Sequence, residues 1–419
     1  MMTYKQSRRI FLQKTALITG GLFLGSHFPD LRAMAEQQGG SGQSVNLGLI
    51  GSGSRGQYLM DHINLIPGVE VVAVCDNYQP NLEQGIQMTG GKAEAFTDYR
   101  KLLEKKNIDG VIIATPLHLH SVMSIDALKA GLNVFCEKAM AKTPHECLEM
   151  YRVQHETGKI LLIGHQRMFN PRYLKAFEMI NRGQLGDIKQ IRAYWHRNND
   201  WRRAVPDPGL ERNINWRLYW DYSEGLMTEL GSHQIQVANF IKKDFPRRVA
   251  GTGSINYWHD GREVFDNVNM VYEYPDGSTL IYDSMISNAH YGYEEQIMGP
   301  KGTMELEVGK MYSENPPPAP GILQLLNNIE HKIFDPLPLG GKSWIPETAK
   351  EMKGEYIYEV DLEDDGTALE MEGFAQMIRE NRHSDILLRE AYYAAIAAVL
   401  GNEAIKRGEI ISFPEEYII

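Results

Sequence analysis

Three side chains in this sequence could move a proton to or from a hydroxyl group: Lys138, Glu229 and His233. Glu229 and His233 stand four residues apart in the stretch GLMTELGSHQIQVANF. On a helix, that spacing puts both on one face. A carboxylate there can fix the imidazole tautomer and raise its basicity, as removal of a hydroxyl proton requires. Lys138 follows Glu137 at the end of an apolar run, Asn133–Cys136. Partial burial or a neighbouring cation would lower the pKa of such a lysine. Taken alone, each pair also fits an ordinary surface pair, which on a helix contributes a few tenths of a kcal/mol. His118, His120, His165, His196 and His233 match no zinc spacing, and no metal is expected.

The elements that must position these groups begin at VNLGLIGSGSRGQYLMDHI. A strand, Val45–Ile50, runs into Gly51-Ser52-Gly53-Ser54-Arg55-Gly56, and a helical pattern starts at Gln57. This is G-x-G-x-x-G between strand and helix, the setting in which it binds a dinucleotide. Gly51 permits the tight turn, Gly53 lets backbone approach a pyrophosphate, and Gly56 lets helix and strand pack closely. The helix N-terminus offers N–H groups to the phosphates. A second apolar strand, VEVVAVCD, ends at Asp76. An acid there can accept from both ribose hydroxyls and repels a 2′-phosphate. Asn77, Tyr78 and Gln79 after it are neutral. The reading is NAD, in a loop able to hold it tightly, in preference to NADP.

Strands at Gly110–Thr115, Asn133–Cys136 and Ile160–Ile163 alternate with helical stretches, His120–Ala130 and a helix capped by Thr143 among them. That order implies a doubly wound parallel sheet. From about Arg167 the texture changes to long alternating strands between Ile188 and Glu307, with helices at Tyr173–Asn181, Leu226–Phe240, Ala368–Glu380 and Leu388–Ile405. The fold class is therefore α/β: a Rossmann domain over residues 45–167, then an α+β domain over 168–419 with a large, mostly antiparallel open sheet. Residues 310–365 read as an irregular insertion. Between Asn198 and Trp220 lies a stretch rich in Trp, Arg and Asn that suits a carbohydrate, Trp216 and Arg217 included; each Trp fits a domain core equally well.

The first 35 residues read as an export signal. Ser7-Arg8-Arg9-Ile10-Phe11-Leu12-Gln13-Lys14 precedes a short apolar run and Ala33-Met34-Ala35, resembling a twin-arginine signal with its cleavage site. Residues 36–44 form a polar linker. The whole chain has 43 basic and 54 acidic residues, a net −11. Loss of residues 1–35 leaves 38 against 53, or −15. That charge excludes nucleic acid as a natural partner. Cys75, Cys136 and Cys147 are odd in number and fit no disulfide framework. The expectation is a periplasmic or otherwise exported protein with no membrane attachment after cleavage.

In combination, Gly51–Gly56, Asp76, Ala114-Thr115-Pro116 with His120, Cys136-Glu137-Lys138, and Glu229 four before His233 resemble the Gfo/Idh/MocA oxidoreductases. Gly164-His165-Gln166-Arg167-Met168-Phe169-Asn170-Pro171 looks like that family's interdomain segment, and Gly299-Pro300-Lys301-Gly302-Thr303 like its late sheet turn. The resemblance implies NAD(P)-dependent chemistry on the CH–OH groups of sugars and cyclitols, in a homo-oligomer, a dimer or tetramer. It assigns cofactor contacts to Gly51, Gly53, Ser54, Arg55, Gly56, Asp76, Thr115, Pro116, His120, Glu137, Lys138 and Gln166. It assigns catalysis to Lys138, His233 and Glu229, and a small-molecule carbohydrate to Lys138, Arg167, Trp216 and His233. Ala139 replaces the proline of the family's E-K-P motif, which would loosen the turn; Glu229 replaces an Asp, and Gln236 a second acid. Two other readings remain. One is an NAD-dependent glycosidase that oxidises transiently, eliminates and re-reduces. The other is a non-catalytic sugar or NAD sensor.

Overall fold

The structure, a computed structural model, describes residues 44–314, 330, 354–357 and 365–419. The expected export signal, nearly all of the expected linker and most of the expected insertion lie outside the described residues. β1 (Val45–Ile50), β2 (Val69–Cys75), β3 (Glu94–Phe96), β4 (Gly110–Ile113), β5 (Asn133–Glu137) and β6 (Leu161–Gly164) form one sheet in the order β3-β2-β1-β4-β5-β6. Every pairing in it is parallel. The four residues of β4 and of β6 are all buried, as continuous apolar runs in a sheet covered on both faces must be. Helices Ser54–Ile63, Gln79–Met88, His120–Lys129 and Pro144–Thr157 make the crossovers. The last begins with a capping box between Thr143 and Glu146 and with Pro144 at its first position. Strand order reverses between β1 and β4, and ligands of such sheets bind at that switch point.

Nine further strands build the second sheet: β7 (Gln190–His196), β8 (Arg248–Ser254), β9 (Asn267–Glu273), β10 (Thr279–Met285), β11 (Tyr293–Gly299), β12 (Gly302–Glu305), β13 (Lys310–Ser313), β14 (Glu355–Tyr356) and β15 (Ile411–Ser412). Their order is β14-β13-β12-β11-β7-β10-β9-β8-β15; among the described residues only β7 and β10 pair in parallel. In β9, Val268, Met270 and Tyr272 are buried while Val271 is exposed. That period of two leaves one face open and seats the other on helix Ser232–Lys242 and the long helix Asp385–Arg407.

The chain's last two long helices return to the first domain. In helix Thr367–Glu380 the Phe374 ring lies 5.8 Å from Phe135 of β5, and Arg379 donates to the Pro67 carbonyl at 3.1 Å. Tyr392 of helix Asp385–Arg407 packs against Tyr151, with ring centroids 5.6 Å apart and the planes tilted by 46°. These contacts fix the second sheet relative to the carboxyl ends of the first. The three cysteines are buried and free.

Gly56 locks the opening turn, because a Cβ there would sit 2.1 Å from the Gly51 carbonyl oxygen. Backbone cannot yield as a side chain can, so Gly56→Ala destabilises the fold by at least ~1–3 kcal/mol. Urea unfolding of the two proteins checks this; equal midpoints would contradict the packing described.

Candidate active site

A cleft of about 1370 Å³ runs along the switch point, between the carboxyl ends of the parallel strands and the second sheet. Gly51, Gly53, Asp76, Thr115, Pro116, Glu137 and Gln166 line it. The glycine loop fits a dinucleotide. Gly51 has φ +92° and its Cβ would meet the Ala114 carbonyl at 2.6 Å, whereas a Cβ on Gly53 would meet only Asn81 Nδ2, at 3.7 Å. The open side of Gly53 is thus the side from which phosphate can approach. Helix Ser54–Ile63 has no side-chain N-cap, which leaves its first turn free to serve an anion. Asp76 holds the loop as well as facing the cleft: its Oδ2 accepts from the Ser52 amide at 2.9 Å and its Oδ1 from the Tyr78 amide at 2.8 Å.

Lys138 stands at the end of β5, beyond Glu137. Arg55 Nε donates to Glu137 Oε1 at 2.6 Å, which ties the glycine-loop helix to the strand end. Lys138 Nζ donates to the backbone carbonyl of Glu229 at 2.7 Å. Burial pulls the lysine pKa down, with Arg217 and Arg55 pushing the same way against Glu229 and Glu137. The Glu229 carboxylate turns away and accepts from Arg217 Nε at 2.8 Å. Burial favours its neutral form, but Arg217 and Lys138 outweigh burial and hold its pKa below the usual range.

His233 is buried, and its pKa lies well below the usual value, through burial first and then Lys138, Arg167 and His165. It is therefore a neutral imidazole at neutral pH, able to accept a proton. Its Nδ1 has no hydrogen-bond partner among the described residues. The expected Glu229–His233 clamp is absent. Met227–Gly231 forms a π-helical turn, a wider turn that takes the two side chains off a common column. Arg217 then captures the carboxylate, and the Glu229 carbonyl is free for Lys138.

One other sequence expectation changes. Arg167 does not line the cleft. It is buried against the second sheet, where its NH2 donates to Glu307 at 2.9 Å and its Nε to Tyr173 at 3.0 Å. The pull of Glu295 and Glu307, more than 120 residues away in sequence, beats a place beside substrate. His120 lines the cleft as expected and also braces it: its Nδ1 is 2.8 Å from the Ala139 carbonyl and its Nε2 3.0 Å from the Thr115 carbonyl. This answers the loss of the motif proline, since Ala139 is fully buried and held from above. Ser54, Arg55 and Trp216 line the cleft as expected. Sequence reasoning missed Trp195, whose ring is 5.6 Å from His233, and Arg197 and Arg203, which line the same cleft. A polar residue just past a strand end was the available signal for Arg197.

His165, whose ring stands 5.8 Å from His233, gives a pH test. Burial chiefly, with Lys138 and Arg167 in support, lowers its pKa from 6.5 to about 3. Between those values the unfolded chain binds a proton that the folded chain refuses. Stability therefore falls as pH drops through that window, by up to about 1.4 kcal/mol per pH unit for one such group. His165→Leu should flatten the decline in urea midpoint between pH 7 and pH 4. Parallel decline in both proteins would contradict a buried neutral His165.

Residues 45–165 match the family model of the Gfo/Idh/MocA oxidoreductases with an NAD-binding Rossmann fold, and residues 173–305 match the C-terminal domain of the same family. Inositol 2-dehydrogenase of Salmonella paratyphi B is 25% identical over 268 residues, 62% of this chain and 72% of that protein. A glycosyl hydrolase family 109 protein of Shewanella sp. strain ANA-3 is 28% identical over 184 residues, 42% of this chain but only 39% of the relative. The structure of levoglucosan dehydrogenase with NADH and levoglucosan shares the fold at a TM-score of 0.69 and 17% identity, over 89% of this chain and all of that one. The two family models together span more than half of the sequence, and the chain belongs to the Gfo/Idh/MocA oxidoreductases.

Proposed function

We propose that this chain is an exported NAD-dependent oxidoreductase acting on a hydroxyl-bearing carbon of a sugar, glycoside or cyclitol. The observation that carries it is the meeting of Lys138 and a neutral His233 at the inner end of a dinucleotide cleft. NAD, when bound, supplies the hydride acceptor. Lys138 spends one N–H on the Glu229 carbonyl and has two left for the reacting hydroxyl oxygen. Donation there favours the alkoxide-like character that develops as hydride departs. His233, uncharged and unprotonated on one ring nitrogen, takes the hydroxyl proton. Arg217 keeps Glu229 ionised and in place, which steadies the carbonyl that aims Lys138. Trp216 lines the same cleft and offers apolar surface to a sugar ring.

The export signal read at residues 1–35 supports an exported location. An exported enzyme has no cytoplasmic pool of NAD, which supports a cofactor kept bound between turnovers. Similarity to a glycosyl hydrolase family 109 protein favours one second reading, transient oxidation followed by elimination and re-reduction. The two readings separate on a panel of sugars, cyclitols and aryl glycosides. Reduced nicotinamide supports the first; free aglycone with no net reduction supports the second.

Lys138→Met should lower kcat/KM by roughly 10²–10⁴-fold while NAD still binds, as read by fluorescence titration. Turnover that survives the substitution would sink the assigned role and favour a sensor.

A further inference from the structure

The cleft is lined by seven arginines. Five of them meet a carboxylate. Arg55 pairs with Glu137, Arg100 with Asp98, Arg202 with Asp260 and Glu211, Arg212 with Asp221 and Glu263, and Arg217 with Glu229. The other two make no ion pair among the described residues. Arg203 donates to Ser54 Oγ at 2.8 Å, at the glycine loop where the dinucleotide phosphates belong. That contact accounts for Arg203 as a phosphate-end residue. Arg197 has no such account.

Arg197 follows β7 directly. Its guanidinium lies 5.0 Å over the Trp195 ring, and that ring is 5.6 Å from His233. It therefore stands at the substrate end of the cleft, away from the glycine loop. A guanidinium held over an indole by cation–π attraction still has N–H groups free to fork a planar anion. Crowding by the cleft walls, and Arg217 nearby, lower the Arg197 pKa. An exposed cation left unpaired is unremarkable on a basic protein, but this chain carries 54 acids against 43 bases. Its general field repels anions. A locally positive wall beside the reacting groups is what admits one.

We propose that the substrate is a sugar acid, and that Arg197 binds its carboxylate while Lys138 and His233 act on a hydroxyl of the same ring. This inference rests on the oxidoreductase reading above and narrows its substrate class. One unpaired guanidinium matches a single-charged carboxylate through two parallel N–H···O bonds.

The test uses the full chain loaded with NAD. Glucuronate and galacturonate are compared with glucose, galactose and glucose 6-phosphate, by kcat/KM and by calorimetric binding. The acids should be favoured over the matching neutral sugars by roughly 10–100-fold, the range of a charge-assisted pair. In Arg197→Gln that ratio should collapse towards one, mainly through KM, with NAD binding retained by fluorescence titration. Arg197→Lys should recover part of it. A preference for neutral sugars or for glucose 6-phosphate, or a preference for acids that survives Arg197→Gln, overturns the sugar-acid inference and leaves the oxidoreductase reading intact. Arg197-dependent binding of the acids without any hydride transfer overturns the oxidoreductase reading and keeps the carboxylate site. Absence of both binding and turnover of the acids overturns this proposal.

Discussion

The bond from Lys138 Nζ to the Glu229 carbonyl, at 2.7 Å, is the contact on which the site depends. It crosses from the end of a Rossmann strand to a π-helical turn of the second domain. A buried ammonium without an acceptor would be costly. A main-chain carbonyl satisfies one of its donors without neutralising it and leaves the remaining donors for a substrate. The acceptor is available because the π turn disturbs the regular i+4 ladder there. Arg217 holds the Glu229 carboxylate, so one residue serves two cations through two different groups.

Around that contact the electrostatics separate the roles of acid and base. Burial first, and then the positive charge of Lys138 and Arg167, keeps the His233 and His165 rings neutral. A neutral ring beside a cation is the arrangement that can take a proton from a hydroxyl while the cation bears the developing negative charge. The Arg55–Glu137 pair and the Arg203–Ser54 bond join the dinucleotide end of the cleft to the same frame. Cofactor and reacting groups are thus set by one connected network rather than by two independent domains.

Much of this was legible in the sequence where the signal is local. Gly51, Gly56 and Asp76 declare themselves because a tight turn, a close packing and a strand end each demand one residue type within a short span. Thr143 and Pro144 announce their helix for the same reason. The fold class followed from element order alone. What stayed hidden depends on partners distant in sequence or on an irregular turn. The spacing of Glu229 and His233 promised a clamp, but a π turn and Arg217 redirected the carboxylate. Arg167 sat in the right motif and was drawn off by Glu295 and Glu307. The loss of the proline at Ala139 suggested a loose turn, and His120, nineteen residues earlier, holds it. The positive wall at Arg197 emerges only once the other cleft arginines have been matched, five with acids and Arg203 with the Ser54 hydroxyl.

The central claim is that hydride passes directly between a sugar carbon and nicotinamide beside Lys138 and His233. The most direct measurement is the fate of deuterium from a sugar or sugar acid labelled at its carbinol carbons, read by mass spectrometry of the cofactor released from the protein after one turnover. The account predicts a single deuterium on the nicotinamide ring. Product formed while the cofactor remains unlabelled would contradict it.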